Sequence, residues 1–168
     1  YNIRGIVFRE GEKIVNTGQR PLLQNLDTMP FPARELTAFE DYSSVLSGGG
    51  AVTTMFTSRG CPYKCLFCDR PHLGKVFRAH SAEYVVREMQ NCKDMGIDDI
   101  MIYDDTFTID RQRVLDICNG ILKNNLKINW DVRARVNTVD EELLNLMARA
   151  GCKRIHYGVE AGTQKILN

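Results

Sequence analysis

Strand-like and helix-like segments alternate through most of this 168-residue chain, and that alternation predicts an α/β fold. Three observations carry the prediction. Segments 52–58, 99–103, 128–133 and 154–159 are short and rich in β-branched or aromatic residues, as strands are. Apolar stripes at helical spacing lie between them: Val85, Met89 and Cys92; then Val114, Ile117, Cys118, Ile121 and Leu122; then Leu143, Leu146, Met147 and Ala150. Helix-end signals punctuate the boundaries. Strands separated by helices pair in parallel through right-handed crossovers. About four βα units fit residues 52–168, whereas a complete eightfold barrel takes about 250 residues. The expected architecture is therefore a partial TIM-type barrel of about four parallel βα units, truncated at the C-terminus just inside a fourth helix.

The elements follow in order. Ile6-Val7-Phe8 and Lys13-Ile14-Val15 flank Gly11 and predict a small hairpin. Prolines at 21, 30 and 32 exclude helix and central strand from the stretch that follows. Gly48-Gly49-Gly50 marks a boundary, so residues 1–50 read as a linker joining something upstream to the barrel of residues 51–168. Ser81 and Asp110 are positioned as N-caps of the first two helices. Thr138 with Glu141 three residues later reads as a capping box for the third. Gly96 and Gly151 sit where a left-handed residue ends a helix, each four residues before a strand isoleucine, Ile100 or Ile155. Trp130, Cys92, Cys118 and Cys152 read as core, and His156 as a satisfied core histidine.

Composition narrows the function. Lys+Arg is 22 against Asp+Glu 21, a net charge of +1 that gives no case for a nucleic-acid or membrane-surface protein. The longest apolar runs are four residues, so no membrane span is predicted. The chain starts at Tyr1 without a signal-peptide pattern, and the expectation is an excised piece of a longer cytoplasmic protein. Three of the six cysteines are scattered, which argues against a secreted disulfide framework.

The other three are Cys61, Cys65 and Cys68, in the run Ser58-Arg59-Gly60-Cys61-Pro62-Tyr63-Lys64-Cys65-Leu66-Phe67-Cys68 directly after the first strand. Their C-x₃-C-x₂-C spacing lets three thiolates hold three corners of a [4Fe–4S] cubane, which normally takes four. One iron is then open to a ligand with a free amine and carboxylate. This motif, with an aromatic residue before its third cysteine, resembles that of the radical S-adenosylmethionine (SAM) superfamily, and the resemblance covers residues 51–168. Asp104-Asp105-Thr106-Phe107-Thr108, Arg133-Ala134-Arg135-Val136 and Gly158-Val159-Glu160-Ala161-Gly162-Thr163 are similar to segments of its cobalamin-associated branch. That branch includes radical methyltransferases and the anaerobic oxidative cyclase of chlorophyll synthesis. The stretch from Leu26 through Pro30-Phe31-Pro32-Ala33-Arg34 resembles the linker that follows a cobalamin-binding domain there, a domain this sequence lacks.

The resemblance implies a reaction and a site. One electron from the reduced cluster cleaves SAM to methionine and a 5′-deoxyadenosyl radical, which removes hydrogen from a small-molecule substrate; the outcome is hydrogen abstraction, methylation or cyclisation. An electron donor such as flavodoxin or ferredoxin is implied. Cys61, Cys65 and Cys68 would hold the metal and Phe67 would meet the adenine. Asp104, Asp105 or Thr106 would meet the methionine amine, Arg135 its carboxylate, and Glu160 the ribose hydroxyls. All of these follow strand ends, where barrel ligands collect. Arg59, Lys64, Arg70, Lys75 and Arg78, against the single acid Asp69, would stabilise the reduced cluster.

Two other readings compete. A methylthiotransferase-type enzyme shares the cysteine motif but has a different segment after strand two. A non-enzymatic zinc module would need a fourth ligand, for which His72 and His80 are available. A small cluster-bearing electron carrier also lacks its fourth ligand here. The missing neighbour of strand four predicts self-association through an open edge, and the missing strands predict weak or absent turnover by this stretch alone.

Overall fold

The computed structural model describes residues 3–44, 49–68 and 75–167. Gly48, Asp69, Arg70 and His72 lie outside the described residues. The predicted hairpin is present as β1 (Val7–Glu10) and β2 (Lys13–Asn16), antiparallel and largely exposed. No helix or sheet strand forms in the proline-containing stretch, only 3₁₀ turns at Leu26–Thr28, Arg34–Leu36 and Phe39–Asp41.

The barrel portion begins with β3 (Ala51–Met55). A short antiparallel pair follows, β4 (Ser58–Arg59) with β5 (Arg78–Ala79). Then come α1 (Ala82–Asp94), β6 (Ile97–Ile102), α2 (Arg111–Lys123), β7 (Asn129–Arg135), α3 (Glu141–Arg149), β8 (Cys152–Gly158) and a one-turn α4 (Gln164–Leu167). The sheet order is β3-β6-β7-β8, all parallel, so each strand lies beside the next and the expected run of βα units is observed. Among the described residues these four strands form an open, partial barrel, and no helix is long and apolar enough to cross a membrane.

The core lies between the sheet and the three long helices. Val85, Met89 and Cys92 of α1, Val114, Ile117, Cys118 and Ile121 of α2, and Leu143 and Met147 of α3 are buried. They meet Met55, Ile100, Ile102, Trp130 and Val132 on one face of the sheet. Trp130 is satisfied there by donating its indole N–H to the Ala150 carbonyl at 2.9 Å. Strand alternation puts Thr54, Met101, Asp131, Arg133, Arg135, Arg154 and His156 on the opposite, inner face. His156 is exposed on that face rather than satisfied in the core, which corrects the sequence expectation.

Ser81 caps α1 through the Tyr84 amide, and Asp110 caps α2 through the Arg113 amide. The third cap is Asp140, which accepts from the Leu143 amide at 2.8 Å, and not Thr138. Thr138 is occupied elsewhere: its hydroxyl donates to the Arg135 carbonyl and meets Thr108 at 2.5 Å. Gly96 and Gly151 take positive φ of 83° and 98° as expected. A β-carbon at Gly151 would also meet the Ile128 carbonyl oxygen at 2.3 Å, so no other residue fits that turn.

The stretch before the barrel docks alongside β5 and α1. Leu23 accepts from Arg78, Asp27 from Ser81 and His80, and Met29 from the Tyr84 hydroxyl. Phe31 packs edge-on against Tyr84. Arg34 ends the run, donating to Glu88 at 2.7 Å, to Thr53 and to the Thr54 carbonyl. Arg34 and Glu88 are both buried. A buried ion pair is weak evidence of net stabilisation, but removing one partner strands the other charge away from water. Arg34→Met is therefore expected to lower unfolding free energy by about 3 kcal/mol in urea titration, with part of the loss recovered in Arg34→Met/Glu88→Leu.

Candidate functional site

The site is built where β3 ends. The sequence Met55-Phe56-Thr57-Ser58 reads as one continuous strand over 52–58, yet the chain leaves the sheet after Met55. Asp104, just past β6, causes the turn. One carboxylate oxygen accepts the Thr57 and Ser58 amides at 2.7 and 2.9 Å. The other accepts their two hydroxyls, both at 2.6 Å. Asp104 is fully buried. Four donors saturate it, so the Asp104 expected at the methionine amine is instead the anchor of the cysteine loop.

The loop is closed at its base. Ser58 pairs with Ala79 and Arg59 with Arg78. Arg113, from the first turn of α2, donates to the Thr57 carbonyl at 2.8 Å and to the His80 carbonyl at 2.7 Å, tying both sides of the stem to one helix. Burial pulls the Arg113 guanidinium below its ordinary value, and the negative charges of Asp104, Asp110 and Asp27 oppose that shift. His80, a candidate zinc ligand by sequence, is buried and stacked on Tyr84 at 4.0 Å. Its Nδ1 donates to Asp27. Burial holds its imidazole below the usual value, and the Asp27 carboxylate opposes that shift. His80 belongs to the stem and not to a metal.

Gly60, buried with φ of 84°, swings the chain into the cysteine run, a conformation that an L side chain resists. Cys61 and Cys65 are half-buried and Cys68 is exposed, and all three are free thiols. The Cys68 amide donates to the Cys65 carbonyl, which folds the C-x₂-C portion into a turn. Cys92, Cys118 and Cys152 differ in kind: burial pushes their thiols up to about 11, 12 and 12. They stay protonated, whereas the loop thiols sit within reach of solvent. Among the described residues, no three His, Cys, Asp or Glu groups stand close enough together to cage a metal ion. The three thiols lie on one loop after the end of β3, are free of disulfides and are of the donor type an iron–sulfur cluster takes.

Arg135, at the end of β7, reaches this loop. It donates to Cys65 Sγ at 3.0 Å and lies 4.2 Å from the centre of the Tyr63 ring. Gly158, at the end of β8, is its cross-strand partner. Glu160 has φ of 64°, an unusual backbone for a glutamate, and its carboxylate folds back over Gly158. Arg135 and Cys65 thus meet at the strand ends, and Glu160 follows the end of β8. Phe67 is 70% exposed and Asp105 is exposed. Thr106 is buried and its hydroxyl donates to the Asp105 carbonyl, so Asp105 is the accessible member of that trio. Of the expected cationic set, Arg78 is spent on Leu23, and Arg59 lies 6.0 Å from the centre of the Phe56 ring. Sequence reasoning missed Thr57, Ser58 and Arg113.

Known proteins were compared with this chain. An uncharacterized methyltransferase of Pyrococcus horikoshii is 36% identical over 98% of this chain and 36% of its own length. The anaerobic magnesium-protoporphyrin IX monomethyl ester cyclase of Cereibacter sphaeroides is 28% identical over 96% of this chain and 27% of its own. The solved structure of the cobalamin-dependent S-adenosylmethionine radical enzyme OxsB, with aqua-cobalamin and S-adenosylmethionine bound, superposes with a TM-score of 0.77 at 27% identity. That match covers 98% of this chain and 25% of OxsB. The chain spans about a quarter to a third of the length of these relatives. The Radical SAM superfamily profile matches residues 55–168, from the last residue of β3 through the cysteine loop and past β8, and the chain belongs to that superfamily.

Proposed function

We propose that residues 51–168 are the N-terminal part of an enzyme core that binds a [4Fe–4S] cluster through Cys61, Cys65 and Cys68 and SAM at the remaining iron. Residues 1–50 are the linker from an upstream cobalamin-binding domain, the substrate is a small molecule, and a flavodoxin or ferredoxin delivers the electron. The chemistry supplied when cluster and SAM are bound is one-electron cleavage of the sulfonium bond, the source of a hydrogen-abstracting radical. The observation that carries this reading is the meeting of Arg135 with the Cys65 sulfur at the strand ends.

The protein's own residues hold and orient. Asp104 and Arg113 fix the stem of the loop that carries the three cysteines. Arg135 sets a positive charge against the thiolate side of the loop and has donors left for the methionine carboxylate. Asp105 would meet the amine, Glu160 the ribose and Phe67 the adenine, as the resemblance implies. The methyltransferase and cyclase relatives, together with the OxsB fold, favour the cobalamin-associated reading over a zinc module.

Anaerobic reconstitution with iron and sulfide tests this. The expected result is a brown protein binding about four irons, whose reduced paramagnetic resonance signal changes when SAM is added. Tight zinc uptake without iron would reject the cluster. An iron-loaded protein blind to SAM would reject the enzyme assignment in favour of an electron carrier.

A further inference from the structure

The inner face of β7 and β8 carries three cross-strand pairs in successive layers: Asp131 with Arg154, Arg133 with His156, and Arg135 with Gly158. The lowest layer is internally neutralised, since Arg154 donates to Asp131 at 3.2 Å. The uppermost reaches the cysteine loop through Arg135 and Cys65. The middle layer sets a guanidinium opposite an imidazole with no carboxylate in its own pair; Asp131, one layer down, is within electrostatic reach of His156 and Arg133 as well as Arg154, three basic groups to that one carboxylate. Two groups able to carry the same charge, directly opposite on one face, disfavour the sheet rather than support it. Arg133 is also preset: its guanidinium carbon lies 4.4 Å from the centre of the Tyr103 ring. Packing on a ring face orients a guanidinium while its in-plane N–H donors stay available. Arg133 and His156 are both exposed on that face, two residues in from the strand ends.

From these layers we infer that Arg133 and His156 form an oxyanion subsite for the substrate, and that the substrate carries a phosphoryl, phosphonyl or carboxylate group seated one layer beneath SAM. This inference rests on the proposed function and names the substrate class of that same site. A planar fork and a ring N–H presented from neighbouring strands on one face suit two oxygens of one anion.

The test titrates the iron-loaded protein, at saturating SAM, with methylphosphonate and separately with carbon-13 acetate, following phosphorus and carbon line widths. Binding of at least one probe is expected, weakened tenfold or more by Arg133→Met and severalfold by His156→Leu. Arg9→Gln, which removes an equal charge from the distant exposed hairpin, should leave it unchanged. Broadening by methylphosphonate alone assigns a phosphoryl-type group, and by acetate alone a carboxylate. Equal binding to the wild-type and Arg133→Met proteins, or no binding of either probe, overturns the inference. Melting curves of the exposed-site variants verify folding. The resonance response to SAM is read on the same samples. If it persists while no Arg133-dependent anion binding is found, only the subsite falls. If it is absent while Arg133-dependent binding is present, only the enzyme assignment falls.

Discussion

Cys65→Ala is expected to abolish the iron–sulfur cluster, leaving a colourless protein with no more than residual iron after anaerobic reconstitution. In the proposed site three thiolates are the whole protein contribution to the metal, so losing one would leave two ligands for four irons and no way to retain the cubane. Cys61→Ala and Cys68→Ala should behave alike. The control is Cys118→Ala. That thiol is fully buried on α2 and pushed up to about 12, so its removal costs about 1 kcal/mol of stability and no iron. Iron determination with visible absorption separates the two classes. Full iron content in Cys65→Ala would reject the ligand assignment.

Asp104→Ala should be the most destabilising single change outside the apolar core, about 4 kcal/mol in denaturant titration. It strands the buried amides of Thr57 and Ser58 and two hydroxyls at once. Asp104→Asn should cost about half as much. An amide oxygen can keep both backbone donors, and the Thr57 and Ser58 hydroxyls can turn from donor to acceptor to meet its NH₂. The same order is expected in cluster uptake, because the stem released by Asp104 is what projects the cysteines. An Asp104→Asn protein as unstable as Asp104→Ala would contradict this division of labour.

Much of the scaffold was legible in the sequence because burial imposes a period. Val114, Ile117, Cys118 and Ile121 recur at helical spacing since one side of α2 faces the sheet, and all four are buried. The meeting of Arg135 with Cys65 was legible for a related reason: residues that follow parallel strands must emerge at one end. The exit of the chain from the sheet at Thr57 was not legible. Its β-branched local pattern continues unbroken, and the turn is imposed by a carboxylate 46 and 47 residues away. Arg113 and Glu88 each carry a signal in the sequence. Arg113 lies four residues before Ile117 and Glu88 four before Cys92, so both charges sit on apolar stripes. A charge on such a stripe announces a buried partner, and the partners are the Thr57 and His80 carbonyls and Arg34. Thr138 misled for the opposite reason. A plausible capping hydroxyl had a better acceptor in the Arg135 carbonyl, and Asp140 took the helix instead.

The stretch from Leu23 to Arg34 is gripped at β5, at the first turn of α1 and again at Glu88, nearly two turns further on. A strap fastened at a single point can swivel, whereas one fastened along a rod must turn with it. Torque applied to residues 23–34 is therefore delivered to α1 as a rigid shaft, and through His80 and Arg113 to the hinge of the thiol-bearing loop.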